Sequence, residues 1–272
     1  MSAAGAGAVK LDVNAPGYTL GFATVVCIVC SLLVAASTML LKDQQRQSQM
    51  LFVQKNVLVE LAGLAAEADS GTLTRTEVFR QRIEPRLVDL RSGEFARDAG
   101  VEPLAFDQRR ARNDPQQSRE APSNPAEVRR IPNLAVVYLV KGGEQFDQVI
   151  LPIEGRGLYS TMYGFLALDR DMTTIRGVAF YEHGETPGLG GEITNPEWQA
   201  LWRGRRAFDG EGNVRISLVR GAAGPPDTDP YHVDALSGAT GTSNGVTHML
   251  AFWLGEHGFG PFIQKSRKEG LR

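Results

Sequence analysis

The residues best suited to chemistry lie together in Asp234-Ala235-Leu236-Ser237-Gly238-Ala239-Thr240-Gly241-Thr242-Ser243-Asn244-Gly245. Before them, Tyr231-His232-Val233-Asp234-Ala235-Leu236 alternates like the end of a strand. After them, Val246-Thr247-His248-Met249-Leu250-Ala251-Phe252-Trp253-Leu254 is apolar and long enough for a helix. A strand that ends in small hydroxylated residues and opens a helix gathers free backbone N–H groups at the positive end of the helix dipole. Such a junction suits a phosphate. Ser237 and Gly238 supply donors there, Thr240 places a hydroxyl beside the anion, and the helix N-terminus is expected after Ser243.

A second cluster is Glu182-His183-Gly184-Glu185-Thr186-Pro187-Gly188-Leu189-Gly190-Gly191-Glu192-Ile193. Pro187 fixes one φ angle and the glycines permit positive φ, so this backbone can approach a flat ligand closely. His183 and Glu185 add titratable groups. A long structural turn is the other reading of the same loop. A metal held by His183, Glu185 and Glu192 lacks a spacing that aims all three at one point. Ser237 raises hydrolysis, with His232 or His183 as base and Asp234 orienting it. A nucleophile elbow needs G-x-S-x-G, however, and Ala235 and Ala239 occupy the glycine positions. Neither a phosphate loop nor a Rossmann fingerprint stands in its proper context, which argues against a nicotinamide site. Cys27 and Cys30 have C-x-x-C spacing inside an apolar run, where they read as two small helix residues rather than a redox or metal pair.

These residues need elements to hold them. The chain has 272 residues and a formal net charge of -2. That allows one sizeable domain with appendages, and the near-neutral balance excludes nucleic acid as a main partner. Arg109-Arg110-Ala111-Arg112 and Arg129-Arg130 are interrupted by acids and prolines and read as solvated surface. Residues 1–18 form an Ala/Gly-rich flexible start. Thr19 to Leu41 has no charge and is long enough to cross a bilayer as a helix. A cleaved leader is the alternative, since Val34-Ala35-Ala36-Ser37 is small enough to be cut. The flanking Lys and Arg residues slightly favour a cytoplasmic C-terminal domain.

Residues 42–132 read as a helical and loop connecting region. A helical period runs to Ala66. A Thr74-Arg75-Thr76-Glu77 capping box starts a helix reaching Pro85, and polar surface loop follows over 92–130. The core domain spans 133–264, with strands at 134–140, 148–153, 158–168, 174–181 and 214–219. Asn195 caps a helix that has Pro196 at its first position. Residues 265–272 form a basic tail. Strands in succession with few helices predict an α+β domain with an antiparallel or mixed sheet and flanking helices.

Asp234-Ala235-Leu236-Ser237-Gly238-Ala239-Thr240 resembles the flavinylation motif D-x-x-[ST]-G-A-T of the FMN-binding domain family. Gly157-Leu158-Tyr159-Ser160-Thr161-Met162-Tyr163-Gly164 and His183 to Gly191 resemble its two other signature stretches. With one N-terminal span, the chain from Thr19 onward is similar to the C subunits of Na+-translocating NADH:quinone reductases. The G subunits of ferredoxin:NAD+ oxidoreductase complexes share the motif and the anchor. The resemblance implies FMN held covalently by a phosphoester to Thr240, made by a separate flavin transferase outside the cytoplasm. It therefore implies a bacterial inner-membrane anchor with the soluble domain on the periplasmic side, against the charge count.

The resemblance also implies no catalytic residue in this protein and no metal site. A flavin would relay electrons between partner subunits while the complex moves Na+, and the apolar span would meet membrane lipid and neighbouring helices. The cofactor site it implies comprises Thr240, Asp234, Ser237, Gly238, Ala239, Thr242 and Ser243. Tyr159 and Ser160 join them, as do His183, Glu185, Thr186, Pro187, Gly188 and Leu189. Glu185 to Leu189 are expected to pack on the isoalloxazine, and Asp234 to be read by the transferase. A membrane-tethered hydrolase or binding domain is the alternative of a different class.

Overall fold

The structure is a computed structural model that describes residues 16–52, 56–69, 73–143 and 145–271. The chain divides into two compact units, Met1–Phe52 and Val53–Arg272. The described part of the first is a single helix, α1 (Pro16–Phe52). Within it, Tyr18–Ala35 is long and apolar enough to cross a membrane, and Leu20, Phe22, Ile28 and Leu32 expose their side chains. Cys27 and Cys30 are free thiols on its exposed surface.

The second unit contains, in order, α2 (Leu58–Leu61), α3 (Ala65–Asp69), α4 (Arg75–Arg82), β1 (Ile83–Asp89), α5 (Gln108–Asn113), β2 (Ser118–Glu120) and β3 (Arg130–Pro132). There follow β4 (Leu134–Lys141), β5 (Phe146–Arg156), β6 (Thr161–Asp169), β7 (Ile175–Glu182), α6 (Pro196–Ala200), β8 (Ser217–Val219), β9 (His232–Asp234), α7 (Thr240–Leu254) and α8 (Gly260–Glu269). The main sheet is antiparallel throughout, in the order β1-β4-β5-β6-β7. A small parallel pair, β8 with β9, leads into α7.

Successive residues of a strand face opposite sides of the sheet. Leu139, Val149, Leu151, Leu166 and Leu168 join one core with Val246, Met249, Leu250 and Trp253 of α7. Val140, Ile150, Phe165 and Ala167 join a second core with Leu58 and Val59 of α2 and Val78 and Phe79 of α4. Both faces are covered, so the central strands read as continuous apolar runs rather than strict alternation.

Several boundaries differ from the sequence reading. The expected helix through Ala66 is broken, because Gly63 turns the chain at φ +73° after α2. The capping box at Thr74 and Glu77 forms in both directions. Its helix ends at Arg82, however, and Ile83–Asp89 becomes a sheet strand. Pro85 is tolerated there because β1 is an edge strand. Residues 92–130, expected as loose surface, include α5 and β2, and Ala111 and Ala126 are buried. The expected basic tail lies partly in α8, where Phe262 and Ile263 are buried and Lys265 Nζ meets Glu94 Oε1 at 2.6 Å. Asn195 caps α6 by accepting from Glu197 N–H, with Pro196 at the first position.

Arg109 and Arg112 correct the solvated-surface reading. One turn of α5 aims both at the sheet. The Arg109 guanidinium lies 3.6 Å from the Tyr163 ring centroid and bonds Glu182 at 2.8 Å, while Arg112 pairs with Glu154.

Candidate functional site

Three segments meet at one end of the sheet: the turn between β5 and β6, the loop after β7, and the first turn of α7. Packing against β5 holds α7 in place. Trp253 Nε1–H donates to the Glu154 carbonyl, 2.6 Å away. Met249 lies against Gly155, where an added Cβ would come 2.8 Å from its own Cβ. Gly245 allows the closest approach, because a Cβ there would collide with the Arg156 carbonyl oxygen.

The helix begins at Thr240, not after Ser243 as expected. Ser243 is buried, and its Oγ accepts from Leu236 N–H at 3.0 Å, so it closes the turn before the helix instead of preceding the helix itself. Ala239 is the N-cap residue, and no side chain caps the helix. The N–H groups of the first turn therefore point outward without a side-chain acceptor, at the positive end of a helix dipole. Thr240 is exposed, and its hydroxyl makes no hydrogen bond among the described residues. Ser237 and Gly238 are exposed beside it, with Gly238 at φ +71°. Ala239 is buried.

Leu158, Tyr159 and Leu189 expose 51%, 63% and 44% of their surfaces around this turn. An added Cβ on Gly241 would come 2.7 Å from Leu158 Cδ1, and one on Gly238 would come 3.1 Å from Leu189 Cδ2. Leu158 and Leu189 thus stand against the helix N-terminus and make an apolar rim beside it, with the exposed Tyr159 next to Leu158 in the chain. Leu158 is not among the site residues expected from sequence. An exposed leucine carries no local signal, and only its position at the turn reveals it. Thr186, Pro187 and Gly188 are exposed on the same loop as Leu189.

Glu185 and Thr242, both expected at the ligand, are buried and bonded to each other, with 4% and 1% of their surfaces exposed. The Glu185 carboxylate also accepts from the N–H groups of Leu158 at 3.1 Å, Tyr159 at 3.0 Å and Ser160 at 3.1 Å. Burial pushes its carboxyl up, but the Thr242 hydroxyl and these N–H groups outweigh burial and hold it below the usual carboxylate range.

Ser160 Oγ accepts from Gly184 N–H at 2.6 Å, and His183 Nδ1 accepts from Glu185 N–H at 3.2 Å. Asp234 Oδ1 accepts from Ala223 N–H at 2.8 Å, while its carbonyl accepts from Trp198 Nε1–H at 2.9 Å. These residues join the loops to one another; Thr240, Ser237, Tyr159 and Leu189 face outward.

The alternative chemistries find little support in this geometry. His232 Nδ1 lies 2.6 Å from Asp229 Oδ1, so its carboxylate partner is not Asp234. Glu192 Oε2 accepts from Asn195 Nδ2 at 2.9 Å while His183 serves the Glu185 backbone.

The FMN-binding domain model matches residues 157–255, the span that contains all three segments. The C subunit of the Na(+)-translocating NADH-quinone reductase of Yersinia pestis is 46% identical over 261 residues, covering 94% of this chain and 95% of the relative. The corresponding protein of Pseudomonas aeruginosa is 43% identical over 253 residues, covering 92% and 95%. The crystal structure of Shewanella oneidensis NqrC superposes with a TM-score of 0.71 at 34% identity, covering 79% of this chain and 98% of that one.

Proposed function

The chain belongs to the NqrC family of Na+-translocating NADH-quinone reductases, and on that premise we propose that it carries FMN as a phosphoester on Thr240 and relays electrons within such a complex. It is an FMN-binding subunit of an oxidoreductase complex. The observation that carries the finer reading is the uncapped first turn of α7, with the exposed Thr240 hydroxyl on it and an apolar rim beside it.

Each part of that site suits one part of the ligand. The first-turn N–H groups and the helix dipole offset the phosphate charge. Leu158, Tyr159 and Leu189 offer apolar surface to a flat ring system. An ester at Thr240 keeps a cofactor that an open site would otherwise release. When bound, the flavin supplies the redox chemistry, and the protein supplies binding, orientation and electrostatics. A flavin transferase would make the ester, and Asp234, the first residue of the motif and the last of β9, would be the residue it reads. The apolar length of α1 supports anchoring in the bacterial inner membrane, in contact with lipid and with other subunits. A transferase working outside the cytoplasm would require the second unit on the periplasmic side.

The test is co-expression of the full chain with a flavin transferase, followed by denaturing electrophoresis and intact mass measurement. The wild-type band should fluoresce and carry the mass of one esterified FMN. Thr240→Val should lose both signals while keeping its circular dichroism. Fluorescence retained on the Thr240→Val band would overturn the assignment.

A further inference from the structure

We propose that Glu185 is a positioning residue that holds the two jaws of the site in register without touching the flavin, an inference that rests on the FMN reading of the same site. Its two oxygens are fully used inside the protein. Oε1 accepts from Tyr159 and Ser160 N–H and, at 3.4 Å, from Ser160 Oγ–H; Oε2 accepts from Leu158 N–H and Thr242 Oγ1–H. A carboxylate offers about four lone-pair sites, so none is left for a ligand.

The surrounding backbone is shaped to this carboxylate. A Cβ on Gly157 would come 2.6 Å from Oε1, and one on Gly190 would collide with Thr242 Oγ1. Only glycine lets both segments close on the pair.

The consequence is geometric. Pinning three consecutive N–H groups fixes the backbone from which the Leu158 and Tyr159 side chains project. Pinning the Thr242 hydroxyl fixes the rotation of α7 about its axis. At 3.6 residues per turn, Thr240 lies about 200° around the helix from Thr242. Holding Thr242 inward therefore turns Thr240 outward, and one carboxylate sets both the rim and the attachment point. Glu185 also takes the Thr242 hydroxyl while leaving the first-turn N–H groups free for an anion.

The test uses the full chain in detergent, first before flavin loading, with amide hydrogen exchange as the primary readout. In Glu185→Gln the side chain keeps its shape, but its NH2 group faces donors. Exchange at Leu158 to Ser160 should rise about tenfold or more, the equivalent of losing ~1.4 kcal/mol of local protection. Protection of the β5 and β6 strands should remain. A space-filling role would be rescued by Gln. Thr242→Val keeps the carboxylate and its three N–H partners, and should speed exchange at Ser243, whose N–H donates to the Ala239 carbonyl at 3.0 Å, while sparing Leu158 to Ser160. It decides the matter if Glu185→Gln fails to fold: unchanged Ser243 exchange in Thr242→Val then overturns the proposal.

Co-expression with the transferase gives the second readout. Glu185→Gln should lower the fraction of chain carrying flavin and raise the midpoint potential of what is loaded, because a fixed negative charge nearby disfavours reduction. Exchange at the three amides within about twofold of wild type, well short of the tenfold loss that one such bond represents, overturns the role of Glu185, whatever happens to the flavin. Absence of flavin from the wild-type chain overturns the FMN reading, while the exchange result still decides the tether.

Discussion

Glu185 has a stability signature whose sign follows from its partners. Its folded carboxyl lies below the usual range because the Thr242 hydroxyl and three N–H groups outweigh the cost of burial. In the unfolded chain a glutamate titrates near ~4.3. The contribution is therefore fully present above about pH 4.3 and is lost as pH falls through the lower folded value. Urea midpoints measured from about pH 6 to pH 3 should fall more steeply for wild type than for Glu185→Gln, which has no carboxyl to protonate. Equal pH slopes would contradict the ionised, hydrogen-bonded state. The same residue shows what side-chain type alone leaves open: beside glycines, a glutamate suggests a ligand contact, whereas its burial against Thr242 supports the proposed bracing role.

At the scale of elements, α7 is the part on which the site depends. It is joined to β5 through Trp253 and Met249, to the turn after β5 through Gly245, and to β8 through Thr247, whose Oγ1 accepts from Leu218 N–H at 3.0 Å. Gly245 is the most demanding of these contacts. Gly→Ala inside a helix is worth ~1 kcal/mol in the folded state's favour by propensity. Overpacking against backbone costs about 1–3 kcal/mol. The Arg156 carbonyl is main chain and cannot swing aside, so the cost should win. Gly245→Ala should lower stability by up to about 2 kcal/mol in urea unfolding and reduce flavin loading; an unchanged or raised midpoint would show that the helix shifts freely.

For the whole molecule, the two units separate at Phe52 and Val53. The second unit has a core on each face of its sheet, drawn from residues 58 onward. A chain of Val53–Arg272 should therefore fold alone, with a cooperative thermal transition and native near-ultraviolet circular dichroism, and should remain in the supernatant without detergent. A non-cooperative melt would mean that α1 contributes to the fold.

Much of this organisation follows from local pattern. The charge-free run after Thr19, the strands from β4 to β7, the Thr74 and Asn195 caps, and the Asp234 to Thr240 motif all lie within short windows. In such windows hydrophobic period and backbone preference decide structure. The tertiary structure decided what depends on distant partners. It brought Ile83–Asp89 to the edge of the sheet, buried one side of α5 through Arg109 and Arg112, and started α7 at Thr240. It also joined Glu185 to Thr242, 57 residues away in the chain. No local propensity encodes those outcomes. Each is set by which surfaces the folded sheet presents and by the need to pair every buried polar group, and such a pairing exists only once the chain has closed on itself.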